Sequence, residues 1–226
     1  MKRFFYILSI FLLISCGNSK NSPEFIQAVT GNYLFNSDES IGVSFLENEM
    51  IVNWRGNDNI KPLKVNDSTF YIKEINEKFI FITKPKTHIK LDEKREHKGV
   101  IYTFNKMLEG KKTPREYLLN KEYDKALVGY LAIQKKDSLD KTIRERTFNS
   151  LGYQMMNEKK YDIAIDFLKI NTKLYPKSSN TFDSLGEAYW RIKDSVKAKE
   201  NFNKALSINP ENRRALRFIK KYKLED

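Results

Sequence analysis

Residues 179–212 read SNTFDSLGEAYWRIKDSVKAKENFNKALSINPEN. Within this 34-residue frame, Phe182, Leu185, Gly186, Tyr189, Ala198, Phe202, Ala205 and Pro210 fall at positions 4, 7, 8, 11, 20, 24, 27 and 32. The apolar spacing is that of two amphipathic helices. Gly186 and Ala198 are small where the two helices must approach. Leu185, Tyr189, Phe202 and Ala205 fill the seam between them, and Pro210 stops the second helix. The frame one step earlier, 145–178, carries Phe148, Leu151, Gly152, Met155, Ala164, Leu168 and Pro176 at the same positions. Asn171 takes the place of a small residue there and is expected to bond backbone near Ser178 and Asn180.

The two frames resemble the tetratricopeptide (TPR) repeat, a helix-pair module that binds protein. A degenerate repeat is expected over about 113–140, opened by Thr113 as N-cap with Pro114 at N1 and marked by Tyr123, Ala126 and Tyr130. A four-residue insertion lies near Ser138–Lys141. After Pro210, Asn212 caps a last helix over 213–224. Lys220 stands where this helix would need a small residue, so it reads as a solvating cap. The count is seven helices. The resemblance implies that positions 2, 5, 9 and 12 of each first helix line a concave groove. These are Arg146, Asn149, Tyr153 and Met156, then Asn180, Asp183, Glu187 and Trp190, with Arg214, Arg217 and Lys221 on the cap.

Upstream, residues 31–107 alternate with period two over eight short runs broken by turn residues such as Glu47-Asn48-Glu49 and Asn66-Asp67-Ser68. The expectation is an antiparallel meander, one sheet curled toward a barrel around Tyr33, Phe35, Trp54, Phe70, Phe79, Phe81, Tyr102 and Phe104. The fold class is therefore α+β, a small β-meander domain followed by a helical solenoid over 113–226. The phrases Gly31-Asn32-Tyr33, Trp54-Arg55-Gly56, Ser150-Leu151-Gly152-Tyr153 and Asp183-Ser184-Leu185-Gly186 are similar to the C-terminal β-domain and TPR tail of class C β-lactamase-like serine hydrolases. The catalytic domain of those enzymes has no counterpart here.

The chain opens with Lys2-Arg3 and a run of eleven residues, Phe4 to Ile14, apolar but for Ser9 and too short for a comfortable membrane span. Leu13-Ile14-Ser15-Cys16-Gly17 resembles a bacterial lipobox. That implies a signal peptide over 1–15, lipidation of Cys16, including palmitate, and a tether over 16–30. Gly17 is not the Asp associated with inner-membrane retention, so the outer membrane, facing the periplasm, is the expected address.

Composition limits the chemistry. Cys16 is the sole cysteine and His88 and His97 are the two histidines, leaving little for a metal site. The histidines flank a charged hairpin and read as solvated. The one Ser-x-x-Lys, Ser138 to Lys141, has no Tyr-x-Asn or Lys-Thr-Gly companion. No catalytic residue, cofactor or metal is expected. Of the net +12, residues 111–226 hold +10 (26 basic, 16 acidic), while residues 16–110 hold 13 of each sign. The expected function is a lipid-anchored envelope protein whose groove binds a protein or an acidic peptide. The alternatives are a small-molecule or lipid carrier built on the β-domain, or an accessory subunit of a serine hydrolase.

Overall fold

The structure is a computed structural model that describes residues 20–221. Cys16, the apolar leader and the end of the capping helix lie outside the described residues. The chain divides into two units. One holds residues up to Gly31 together with Gly42–Lys106. The other holds Asn32–Ile41 together with the chain from Met107 onward.

The strands are β1 (Gly31–Leu34), β2 (Ser40–Leu46), β3 (Glu49–Trp54), β4 (Asn57–Ile60), β5 (Leu63–Lys64), β6 (Thr69–Ile72), β7 (Glu77–Ile82), β8 (His88–Leu91) and β9 (Thr103–Asn105). Their order is β1-β2-β3-β4 in one sheet and β5-β6-β7-β8-β9 in the other. Within each sheet every strand neighbours the next in sequence, which is the meander. The pairs from β2 to β4 and from β5 to β9 are antiparallel. The single curled sheet is corrected to two. Ile60–Lys64, one of the eight alternating runs, divides between two strands: Pro62 lacks an N–H for the ladder, so Ile60 ends β4 and Leu63 begins β5.

The stretch read as a tether contains helix α1 (Pro23–Val29). Ser22 caps it by accepting from the Phe25 N–H at 3.1 Å, and Pro23 sits in the first turn. Phe25 stacks on Phe70 at 5.9 Å and meets Phe45 and Phe81 edge-on at 6.4 and 5.9 Å. Its ring takes space that a ligand would need. Phe70, Phe79, Phe81 and Phe104 are buried as expected, but Tyr102 is 42% exposed.

The second unit carries seven described helices after the hairpin Asn32–Ile41. They are α2 (Pro114–Leu119), α3 (Tyr123–Lys136), α4 (Glu145–Asn157), α5 (Tyr161–Leu174), α6 (Ser179–Arg191), α7 (Ser195–Ile208) and α8 (Arg213–Lys221). Thr113 and Glu116 close a capping box on α2. Three pairs, α2/α3, α4/α5 and α6/α7, turn in the same way. Lys121, Lys159 and Lys193 hold φ of 62°, 60° and 64°. The next N–H in each case, of Glu122, Lys160 and Asp194, reaches back to the carbonyl of Tyr117, Met155 and Tyr189 at 2.9–3.0 Å.

Close packing follows the 34-residue frame. A Cβ on Gly152 would lie 2.8 Å from Leu168, and one on Gly186 would lie 2.8 Å from Phe202. In the degenerate pair the arrangement is inverted. Gly129 is the small residue, on the second helix, and a Cβ there would lie 2.7 Å from the ring of Pro114 on the first. These three crossings give the unit TPR-like helix-pair packing. One polar residue is seated differently from expectation. Asn171 is fully buried and donates to the Glu145 carbonyl at 3.1 Å and to Asn149 Oδ1 at 2.9 Å, not to backbone near Ser178.

Candidate functional site

The first helices of successive repeats, α4 and α6, and the cap α8 contribute the residues that were expected to line a groove. Four of them meet. Tyr153 on α4 donates its hydroxyl to Glu187 Oε2 on α6 at 2.9 Å. Arg214 on α8 forms an ion pair with Asp183, donates to Ser184 Oγ at 2.9 Å, and lies 3.7 Å from Glu187. Its guanidinium also sits over the Tyr153 ring, 5.5 Å from the centroid.

Asn212 joins α6 to α8 from both ends of its amide. Oδ1 accepts from the Arg214 and Ala215 N–H groups, capping α8 as expected. Nδ2 donates to Asp183 Oδ2 at 2.8 Å and Ser179 Oγ at 2.7 Å. Arg191, one turn along α6, donates to Glu187 at 2.8 Å. Asp183 and Glu187 are 3% and 9% exposed, so this is a buried charge network rather than a rim. Burial pushes the Asp183 carboxyl above its ordinary value, against the pull of Asn212 and Arg214. Burial also pushes the Tyr153 hydroxyl up to about 12, with Glu187 adding to the effect.

Arg214, expected on a groove that would take an acidic peptide, is not free for a partner's carboxylate. It is instead committed to Asp183 and Glu187, because a buried acid must be paired within the chain. The remaining expected residues are dispersed along the face. Arg146, Asn180, Arg217 and Lys221 are exposed, and Asn149 is partly buried under the Asn171 amide. Asn180 donates to Glu145 Oε1 at 2.7 Å. Trp190 is half-buried against the helical core, and Met156 is 1% exposed, inside that core. Ser179, Ser184, Arg191 and Asn212 were missed as members. Only a partner's position reveals them, since each is an ordinary polar residue in its own helix.

A second polar cluster lies in the same unit. Asp38, at the tip of the hairpin, is 1% exposed and receives the Arg115 backbone N–H at 2.9 Å and Nε at 2.8 Å. The Tyr130 side chain faces the same carboxyl, and burial raises Asp38 to about 6 against the pull of both partners. Ser40 and Ser37 donate to Glu116 and Asp140. This clamp ties the hairpin to α2 and α3 and serves the fold.

Both histidines, expected to be solvated, are partly buried. His97 lies in a 3-10 turn (Arg95–His97), its side chain 10% exposed, with Nε2 3.1 Å from Glu77 Oε1. His88 begins β8, its Nδ1 2.9 Å from the Lys86 carbonyl. They stand at opposite ends of the segment and form no pair. Among the described residues there is no group of three or more His, Cys, Asp or Glu that would hold a metal ion. Ser138 is exposed in the α3–α4 connection, and Lys141 opens the 3-10 turn that follows.

No family model matches the chain, and no curated protein matches it. Solved structures do, TPR domains among them. The first TPR of Spaghetti (RPAP3), solved bound to the HSP90 peptide SRMEEVD, is 17% identical with a TM-score of 0.34, covering 49% of this chain and 84% of its own. The Sgt2 TPR domain from Aspergillus fumigatus is 19% identical with a TM-score of 0.35, covering 49% of this chain and 72% of its own. MamA is 20% identical with a TM-score of 0.32, covering 50% and 67%. The assignment of helix-pair repeats rests on the crossings and turns of this chain itself.

Proposed function

We propose that the protein is a non-catalytic, lipid-anchored component of the cell envelope whose helical unit binds a protein or an acidic peptide on the face of α4, α6 and α8. The observation that carries the binding reading is the charge network across those three helices. It holds Tyr153, Asp183, Glu187 and Arg214 in fixed positions, and it neutralises the acids of the face from within. What the face then offers outward is positive, with Arg146, Arg217 and Lys221 exposed along it and Trp190 half-buried on α6. A guanidinium suits bidentate pairing with a carboxylate, and a large aromatic is a frequent interface anchor.

The anchor reading is supported by the sequence around Cys16. Its expected address is the outer membrane, facing the periplasm. The carrier alternative is disfavoured by Phe25, whose ring fills the space among Phe45, Phe70 and Phe81. The likeness of residues 31–226 to the non-catalytic end of class C β-lactamase-like hydrolases belongs to the same reading: binding without a catalytic domain.

Two experiments test it. Cys16→Ala should abolish palmitate incorporation and release the protein from membranes or leave it as precursor. Labelling that persists in this variant contradicts the anchor. Trp190→Ala should weaken retention of the partner by about 2 kcal/mol, roughly 30-fold, as for a central aromatic anchor. Unchanged retention places the binding face elsewhere.

A further inference from the structure

Where the described chain begins, it is fastened to a face that carries bare apolar side chains. Asn21 is 8% exposed and locked to Asn48 in the β2–β3 turn. Its N–H donates to Asn48 Oδ1 at 2.6 Å, its Nδ2 donates to the Asn48 carbonyl at 2.8 Å, and Asn48 Nδ2 returns to the Asn21 carbonyl at 2.8 Å. Lys20, Glu47, Asn48, Lys61, Leu63 and Lys64 line one open cleft of about 430 Å³. Of its lining, Leu63 is 62% exposed, and next in sequence to Glu47 and Lys64 stand Leu46, 65% exposed, and Val65, 52% exposed. Leu63 and Lys64 form the edge strand β5 of their sheet.

Charge on this face is balanced. Lys61 lies 3.4 Å from Glu49 and Lys64 lies 3.2 Å from Asp67. A nucleic acid or a strongly acidic protein would find no net attraction here. Two leucines and a valine beside matched ion pairs suit an interface that is apolar inside and polar at its edge.

We infer that this face lies against the phospholipid bilayer, with Leu46, Leu63 and Val65 turned to the acyl boundary. The inference rests on the lipid-anchor reading of Cys16. Lys20 follows Cys16 by only four steps of the chain, a reach of at most about 14 Å when extended. The three bonds between Asn21 and Asn48 allow no further slack. An anchored Cys16 therefore delivers this face to the lipid surface, where one acyl anchor is strengthened by a second apolar contact. Because Lys61 and Lys64 are already paired and Glu47 stands beside Lys20 on the cleft, the contact does not require anionic lipid.

The test uses the full chain purified from membranes. Leu63→Cys and, separately, Ile101→Cys are labelled with a thiol-reactive nitrobenzoxadiazole dye and reconstituted into phosphatidylethanolamine–phosphatidylglycerol vesicles, with or without brominated lipid. Ile101 is also apolar and 60% exposed, but it leads into β9, the opposite edge of the same sheet. Four strand spacings put it about 19 Å from β5. One dye per chain is expected, since the Cys16 thiol is consumed by lipid. The dye at position 63 should lose most of its emission to bromine and the dye at 101 should keep it. One dye per chain with no quenching at 63 overturns the bilayer contact and leaves the anchor standing, and a blue-shifted but unquenched signal assigns the face to a protein. Equal quenching at 63 and 101 overturns the orientation. Two dyes per chain show a free Cys16 and overturn the anchor and this inference together.

Discussion

Arg214 and Arg217 lie one turn apart on α8 and do different work. The Arg214 side chain is 29% exposed and neutralises the Asp183 side chain, which is 5% exposed. Arg214→Ala strands that carboxylate and should cost about 2 kcal/mol in thermal or denaturant unfolding. This is less than the roughly 3–5 kcal/mol of a fully buried pair, because Arg214 retains some solvent. Arg217 is exposed, so Arg217→Glu should leave stability within about 0.5 kcal/mol and instead slow partner association and flatten its salt dependence. Equal melting shifts for the two variants would contradict this division. Asp38 has a pH signature. Its carboxyl is raised from an ordinary 3.8 to about 6, so the folded state holds the proton more tightly than the unfolded state does. Its contribution is full below about pH 4 and is lost as pH rises through about 6, at no more than about 1.4 kcal/mol per pH unit. Asp38→Asn should flatten that slope, which denaturant unfolding across pH 4–7 would read. A slope unchanged by the substitution would assign the titration to another group.

At the scale of elements, the helix pairs stand on close crossings. Gly186→Val drives a branched side chain into Phe202, already 2.8 Å from where a Cβ would sit. Overpacking of this kind costs roughly 1–3 kcal/mol. A clear fall in melting temperature is expected, and a comparable one for Gly129→Val against Pro114. An unchanged melt in either variant would show that the crossing yields freely. Gly152 and Gly186 were legible in sequence because each repeats 34 residues apart with a bulky partner at fixed offset, and such periodicity survives reading without coordinates. Gly129 was not legible, because its pair reverses which helix carries the small residue. Phe25 was hidden for another reason. Its short stretch, PEFIQAV, carries neither the period-two alternation nor the 34-residue frame, and only the three rings that it meets make it part of a core. Pro62 was in plain view as a strand breaker, yet the alternation of Ile60 and Lys64 masked it.

For the whole molecule, composition and repeat spacing were enough to separate a β-meander from a helical solenoid. They were not enough to place the hairpin Asn32–Ile41 with the helical unit. Asp38 to Arg115, Ser37 to Asp140 and Ser40 to Glu116 are contacts between residues about 76 to 103 apart in sequence, and no local pattern announces them. The same holds for the candidate face. Tyr153, Asp183, Glu187 and Arg214 were legible as groove positions, but their mutual neutralisation was not, and it reverses the role of Arg214. The central claim is that a partner seats on α4, α6 and α8. Site-specific photocrosslinking in intact cells tests it most directly, with the reactive side chain placed at Trp190 or at Asn203, which is exposed on α7. A discrete crosslinked product from position 190, absent from position 203 and lost when Arg217 and Lys221 are reversed to Glu, is the expected result. The same product from both positions, or none from position 190, would contradict the claim.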